Sequence, residues 1–278
     1  MDERAFSFLR LNEREPKPRR RGVTEIRGAY YSALGKRQLE DVLETMGAYV
    51  DMLKYAGGSF SLMPRDVVRE LNELCHRYQV EVSTGGFLEY VLTQGAERVD
   101  RYLAECVELG FDLVEISSGF VTLPAEDLVA LTRRVQHAGL KAKPEVGIQF
   151  GAGGTSSIEA LEEQGQRDIG QAIELAKRHL DAGAHMIMIE SEGISEQVRE
   201  WRTDIPARFA AELGLEHVMF EAAEPEVFSW YVKTYGPDVN LFVDHSQIVQ
   251  LECLRAGIWG THDTWGRVHT YRPHDAPR

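Results

Sequence analysis

The amino-acid sequence predicts an α/β fold, a (β/α)8 or TIM barrel, on three observations. Eight short apolar runs alternate with eight helical segments over residues 22–260, at about 30 residues per unit, which is the spacing of this barrel. The runs are continuously apolar, as expected of parallel strands that are covered on both faces. Several helical segments end at a glycine, the usual C-cap of an α-helix.

The eight predicted strands are short, mostly apolar and followed by a turn-forming residue. They are Val23–Arg27, Tyr49–Lys54, Val80–Ser83, Leu113–Ile116, Lys141–Val146, Met186–Glu190, Val218–Glu221 and Asn240–Asp244. Between them, apolar residues at helical spacing predict eight helices. These are Gln38–Ala48, Arg65–Tyr78, Glu97–Leu109, Ala125–Ala138, Asp168–Ala182, Glu196–Leu213, Pro225–Tyr235 and Gln247–Ala256. This alternation requires parallel strands that are joined by right-handed crossovers.

No linker divides the chain after its first 21 residues. We therefore expect a charged N-terminal arm over residues 1–21 and a single barrel domain over residues 22–278. The basic cluster at Lys17 and Arg19–Arg21 predicts either a solvated tail or a lip that attracts anions to a nearby site. An open doubly wound sheet is the alternative fold, but it would require a glycine-rich fingerprint after the first strand, and Thr24–Ala29 does not contain one.

The composition argues against several functional classes. The chain has 278 residues, 31 Lys and Arg against 44 Asp and Glu, and a formal net charge of −13. This acidity argues against nucleic acid and anionic lipid, because both require a cationic protein face. The three cysteines are widely spaced and no apolar run is long enough to span a bilayer. We therefore expect a cytoplasmic protein with no nucleic-acid or membrane partner.

Polar residues close all eight predicted strands, and in a barrel the carboxyl ends of the strands converge on one mouth. The closing residues are Arg27, Lys54, Thr84, Glu115, Glu145, Glu190, Glu221 and Asp244. Carboxylates beside apolar strands are costly unless a cation compensates them. Mg2+ prefers such oxygen ligands, so the predicted metal ligands are Glu115, Glu145, Glu190 and Glu221. The alternative is that some of these carboxylates cap the helices that follow.

Two cations and two glycine pairs predict a small anionic substrate at the same mouth. Lys54 can act as a phosphate-binding cation or as a Schiff-base nucleophile. Glycines after the second and third strands let backbone N–H groups approach an anion closely, although plain turns are the alternative. The predicted substrate-binding residues are Arg27, Lys54, Gly57, Gly58, Gly85 and Gly86, and the predicted catalytic residues are Lys54, Glu145 and Glu190. The long loop after the fifth strand, with its glycine-rich run 151–157, is the predicted lid.

An ordered set of motifs across residues 17–260 resembles one known family. The motifs are Lys17–Arg19, Gly22–Thr24, Asp51–Gly58, Gly85–Glu89, Gly110–Ser117, Glu145–Gly147, Asp181–Ala184, Ile189–Glu190, Phe220–Ala222, Val239–Leu241 and Leu251–Gly257. Together they resemble the phosphosulfolactate synthase family of archaeal coenzyme M biosynthesis, which includes plant heat-stress-associated relatives. The resemblance implies a homo-oligomeric (β/α)8 barrel and a Mg2+-dependent lyase that adds sulfite to phosphoenolpyruvate, giving (2R)-phosphosulfolactate.

Two positions depart from what this resemblance implies, and they define the alternatives. A Lys is expected after Gly147 and a basic residue soon after Glu190, but Ile148 and Ser191-Glu192-Gly193 stand there. The first alternative is the same barrel acting on a different phosphorylated or carboxylated small molecule. The second is a stress-associated binding protein without catalysis. The candidates for a proton donor are Lys143, His245 and His262.

Overall fold

The computed structural model is a closed barrel of eight parallel strands, which confirms the predicted (β/α)8 fold. It describes residues 4–28, 33–152, 156–258 and 268–270. Each strand pairs with the next along the chain, and the last pairs with the first. The strands are β1 Thr24–Arg27, β2 Met52–Lys54, β3 Glu81–Ser83, β4 Leu113–Ile116, β5 Lys141–Val146, β6 Ile187–Ile189, β7 Val218–Glu221 and β8 Leu241–Asp244.

Ten α-helices lie in the described part of the chain. They are α1 Lys36–Met46, α2 Arg65–Arg77, α3 Leu88–Thr93, α4 Glu97–Leu109, α5 Ala125–His137, α6 Ile158–Gln164, α7 Ile169–Asp181, α8 Asp204–Leu213, α9 Pro225–Tyr235 and α10 Ile248–Arg255. The short helices α3 and α6 were not predicted. The predicted start of α8 at Glu196 is wrong, because Gln197 adopts a left-handed backbone with φ of 52° that a right-handed helix cannot contain. None of these helices is long and apolar enough to cross a membrane.

Side chains alternate between the two faces of each strand, and this alternation builds two separate cores. Outward residues such as Ile26, Leu53 and Val114 pack under the helices in the large outer core. A smaller apolar cluster consists of Val23, Met52, Leu113, Met186, Met188, Met219 and Phe242. On most strands, the residue two positions after a member of this cluster points inward as well and is charged, as Lys54 does after Met52. The charged residues therefore lie nearer the carboxyl ends of these strands than the apolar ones.

The N-terminal arm lies at the amino-terminal end of the barrel, opposite the mouth. The Lys17 ammonium donates to the carbonyls of Tyr78 and Gln79, at 3.0 and 3.3 Å, just before β3. The Arg19 guanidinium pairs with Asp51, which precedes β2, at 2.8 Å. The interpretation of the basic cluster as a lip of the site is therefore wrong. Lys17 and Arg19 instead bind the arm to residues that lie just before β2 and β3.

Candidate active site

The predicted site residues converge at the carboxyl ends of neighbouring strands. Arg27 and Lys54 are direct partners across β1 and β2. Glu115 lies one residue before the end of β4, beside Lys143 of β5. Glu145 lies on β5, Glu190 directly after β6 and Glu221 on β7. One carboxylate oxygen from each of the three lies within 4.8 Å of the other two. The barrel thus gathers residues from six strands into one mouth.

Lys54 is a buried cation held between two carboxylates. Its Nζ atom lies 2.9 Å from Glu115 Oε2, 3.6 Å from Glu145 Oε2 and 4.5 Å from the centre of the Phe242 ring. Burial by itself lowers the pKa of Lys54, but the charges of Glu115 and Glu145 outweigh burial and raise that pKa above its ordinary value. This environment favours a permanent ammonium over the neutral amine that a Schiff-base nucleophile requires.

Glu115 was a predicted metal ligand, but its charge is already compensated. Its Oε2 atom faces Lys54 at 2.9 Å and Lys143 at 3.3 Å, and its side chain is 1% exposed. Burial raises the pKa of Glu115, but the two ammonium groups dominate and hold that pKa below its ordinary value. The structure therefore groups Glu115 with the lysines and not with the three converging carboxylates.

Glu145, Glu190 and Glu221 form a carboxylate triad that is rich in negative charge. Burial, followed by repulsion from Glu115, raises the pKa of Glu145 to about 8. Burial and repulsion from Glu221 raise the pKa of Glu190 well above its ordinary value. Arg27 Nη2 lies 2.8 Å from Glu221 Oε1. Closely spaced carboxylates with raised pKa values match the donor set of a hard divalent cation.

The two predicted glycine pairs lie in different surroundings. Gly58 has φ of 68°, and a Cβ there would lie 2.2 Å from the Phe87 ring, so this pair allows a loop to pack against an aromatic side chain. A Cβ at Gly85 would lie 2.5 Å from the Tyr55 carbonyl and 3.6 Å from Lys54 Cε. A Cβ at Gly86 would lie 2.7 Å from Ser117 Oγ and 3.9 Å from Glu115 Oε1. Gly85 and Gly86 therefore bring backbone directly beside the Lys54–Glu115 pair.

A buried carboxylate that the sequence analysis did not assign shapes the loop after β4. Glu89, on α3, accepts hydrogen bonds from the Ser117 hydroxyl at 2.5 Å and from the backbone N–H groups of Phe120 and Val121 at 2.7 and 2.8 Å. These bonds hold the loop at the mouth, next to the backbone of Ala152 in the loop after β5. Glu89 was visible within the Gly85–Glu89 motif, but nothing in the sequence indicated its partners.

The candidate proton donors occupy different places. Lys143 is fully buried inside the barrel, where it contacts Glu25 and Glu115. The His245 ring lies at the mouth with Nδ1 3.1 Å from the Arg27 carbonyl oxygen. His262 lies outside the described residues, as do Gly153–Thr155 of the predicted lid. The role of the loop after β5 as a lid stays a prediction.

The sequence model of the (2R)-phospho-3-sulfolactate synthase family matches residues 12–261. The chain belongs to this family. A relative in Arabidopsis thaliana, protein HEAT-STRESS-ASSOCIATED 32, is 40% identical over 90% of this chain and 91% of its own length. The phosphosulfolactate synthase of Methanocaldococcus jannaschii is 30% identical over 89% of this chain and 95% of its own. Membership of the family supports a lyase-like function.

Solved structures of other barrels share the fold of this family member. The carboxyl transferase domain of Rhizobium etli pyruvate carboxylase, solved with pyruvate, aligns with a TM-score of 0.54 and 12% identity. That alignment covers 82% of this chain and 40% of the other. At this identity the likeness concerns the barrel alone.

Proposed function

We propose that this protein is a phosphosulfolactate synthase-like lyase that catalyses the Mg2+-dependent addition of sulfite to phosphoenolpyruvate, giving (2R)-phosphosulfolactate. One observation carries the proposal: the carboxylate triad lies beside Lys54 and Arg27 at the barrel mouth. This combination matches a reaction between two anions, because a site that contained only carboxylates would repel both reactants.

Glu145, Glu190 and Glu221 are the residues that would hold the metal. One oxygen of each is close enough to the others to share one ion. Burial, followed by repulsion between carboxylates, raises the pKa values of Glu145 and Glu190, and an ion would neutralise this repulsion. A bound Mg2+ would stabilise the negative charge that develops on the substrate carboxylate. Glu190 is oriented by the backbone N–H groups of Ser191 and Glu192, which donate to its Oε1 at 2.8 and 3.0 Å.

The cationic side of the mouth binds the substrate in this scheme. The sulfur lone pair of sulfite forms a bond to the methylene carbon of phosphoenolpyruvate, and the electron pair of the double bond moves towards the second carbon and its carboxylate. A proton from an acid at the mouth then completes the second carbon. Lys54 stays charged throughout and, with the backbone at Gly85 and Gly86, contacts the phosphate or the carboxylate.

Purified protein incubated with phosphoenolpyruvate, sulfite and Mg2+ tests the proposal by phosphorus NMR and mass spectrometry. The expected product is a new phosphate ester whose mass equals the sum of phosphoenolpyruvate and bisulfite. It should form in the native protein and in Glu212→Gln, which alters an exposed pair with Lys177, but not in Glu190→Gln or in the presence of EDTA. No product in the native protein would reject the proposed reaction.

A second candidate is a different phosphorylated or carboxylated substrate on the same barrel. The observation that favours it is Ile148, which is 1% exposed and packs in the outer core where the resemblance implies a lysine. If phosphoenolpyruvate binds to the native protein but is not converted with sulfite, screening of other small phosphorylated acids in the same assay would test this candidate.

The homo-oligomer and the cytoplasmic location are further parts of the proposal. Light scattering of the purified protein would measure the first, and fractionation of cells would measure the second. If the protein is a monomer at assay concentration, the proposed homo-oligomer is wrong, but the proposed reaction is unaffected.

A further inference from the structure

A second ion pair lies inside the barrel, below the mouth. Glu25 of β1 and Lys143 of β5 are both 0% exposed, and the Lys143 ammonium contacts both carboxylate oxygens of Glu25. Neither residue reaches solvent, so neither can touch a substrate that enters from the mouth. Met52 of β2 and Phe242 of β8, both members of the apolar cluster, are the partners of Glu25 in the strand register.

This inner pair connects to the site through a single oxygen atom. Glu115 Oε2 lies 3.3 Å from Lys143 Nζ and 2.9 Å from Lys54 Nζ. Lys54 in turn lies 3.6 Å from Glu145. Charges therefore alternate from the barrel interior to the mouth in the order Glu25, Lys143, Glu115, Lys54 and Glu145.

Stability alone does not account for the inner pair. Removing two charges from water costs several kcal/mol per ion, and apolar replacement of a buried pair is often neutral or stabilising. The partners of Glu25 in the strand register, Met52 and Phe242, show that this interior accommodates Met and Phe side chains. The pair does, however, affect how strongly Glu115 attracts Lys54, because Lys143 and Lys54 both contact Glu115 Oε2.

We infer that Glu25 and Lys143 are positioning residues that set the strength of the Glu115–Lys54 contact and thereby keep Lys54 available to an anion at the mouth. Glu25 holds Lys143, and Lys143 takes part of the Glu115 charge. Without Lys143, Glu115 interacts with Lys54 alone and draws its ammonium inward, away from Glu145. The inference rests on the proposed function only for the identity of the anion.

Lysine ammonium NMR of the ligand-free protein tests the inference without any substrate. The Lys54 signal is assigned by its loss in Lys54→Met and is then followed in Lys143→Met and in Glu25→Gln/Lys143→Met. We expect the Lys54 signal to shift in both variants. Glu252→Gln is the matched control, because Glu252 is also a buried, ion-paired carboxylate but lies at the opposite end of the barrel, and it should leave the signal in place. An unchanged Lys54 signal in Lys143→Met overturns the inference.

The double variant separates positioning from folding. Lys143→Met leaves the Glu25 carboxylate buried without its ammonium, so its thermal midpoint should fall. Glu25→Gln/Lys143→Met removes both charges and should regain thermal stability relative to Lys143→Met. We expect this double variant still to bind phosphoenolpyruvate, in the presence of Mg2+, about tenfold more weakly than the native protein by calorimetry. Native affinity in a stable double variant would show that the pair is purely structural and overturn the inference.

A double-mutant cycle then shows that Lys143 acts through Lys54. In the Lys54→Met background, adding Lys143→Met should not weaken phosphoenolpyruvate binding further, because the group that Lys143 positions is gone. Additive losses would contradict the inference. If the Lys54 signal shifts but no sulfite adduct forms, the positioning role of Glu25 and Lys143 is supported and the proposed reaction is rejected. Failure of the inference can therefore be distinguished from failure of the proposed function.

Discussion

The two ends of the barrel both contain buried ion pairs, but their charges are balanced differently. At the amino-terminal end, Arg14, Arg19 and Arg255 face the carboxylates of Asp51 and Glu252. Backbone carbonyls supply further acceptors, since Arg255 donates to Gly22 at 2.7 Å and to Val239 at 2.9 Å. At the mouth, Lys54 contacts Glu115 and Glu145, and Arg27 contacts Glu221. Glu190 lies beside Glu145 and Glu221, and it forms no ion pair with a cation among the described residues.

In the proposed function, the same residue types serve structure at one end of the barrel and chemistry at the other. At the amino-terminal end, carboxylates and backbone carbonyls accept contacts from all three guanidinium groups, although Arg14 Nε and Arg255 Nε have no hydrogen-bond partner in the described part of the chain. At the mouth the excess charge is anionic, and burial together with repulsion from Glu115 raises the pKa of Glu145 to about 8. An unsatisfied group in a cleft can be satisfied by a ligand, which is why perturbed pKa values accumulate at functional sites.

The largest expected effect is at the cationic side of the mouth. Lys54→Met should lower turnover of phosphoenolpyruvate and sulfite by about 10³-fold, because in the proposed function it removes the charge that contacts the reacting anion. Steady-state kinetics measures the loss, and circular dichroism verifies the fold. Turnover within about threefold of the native rate would remove Lys54 from the site.

A substitution at the amino-terminal end of the barrel should lower stability and leave turnover unchanged. Glu252→Gln leaves Arg14 and Arg255 buried without their carboxylate, so we expect a loss of about 3 kcal/mol in the free energy of unfolding in urea. The fraction that remains folded should turn over at the native rate. If Glu252→Gln had native stability but low turnover, the structural role given to the amino-terminal end would be wrong.

Metal addition should stabilise the mouth by mass action. Mg2+ at about 100 times its dissociation constant should raise the free energy of unfolding by about 2.7 kcal/mol. The gain should be absent in Glu190→Gln and kept in Glu252→Gln, as measured by thermal melting. Equal stabilisation of both variants would place the ion elsewhere.

Without metal, the stability of the mouth should depend on pH. The folded-state pKa of Glu145 is about 8, above the ordinary carboxyl value of 4.5, so the folded state holds a proton that the unfolded chain has lost. Stability from this group is therefore present at low pH and is lost as the pH rises from about 4.5 to about 8, by up to about 1.4 kcal/mol per pH unit. Melting curves in EDTA should show this slope in the native protein and a shallower one in Glu145→Gln.

The smallest effect is expected far from both ends. Lys177 and Glu212 form a pair on the outer helices at 2.8 Å, with side chains 42% and 47% exposed. Glu212→Gln should change the free energy of unfolding by less than about 1 kcal/mol, because solvent screens the pair. A larger change, measured by urea unfolding, would mean that an exposed ion pair matters as much as the buried ones and would contradict the importance given to the two barrel ends.

Local patterns in the sequence predicted most of the fold. Alternating apolar runs and helical segments predicted the eight strands, and glycine at the ends of segments such as α4 predicted their termination. The start of α8 was missed because the conformation of Gln197 is imposed by the loop and not by its residue type. Helices α3 and α6 were missed because they are short insertions in loops whose lengths carry no periodic signal.

The sequence by itself also determined which residues lie at the mouth, because the carboxyl ends of all the strands in a parallel barrel lie at the same end of the barrel. Only the tertiary structure decided their partners. It paired Glu115 with two lysines and Glu25 with Lys143, and it brought one carboxylate oxygen each of Glu145, Glu190 and Glu221 within 4.8 Å of one another. Strand order and register fix which side chains meet across the barrel interior, and electrostatic compensation follows from those distances and from burial, which no local pattern encodes.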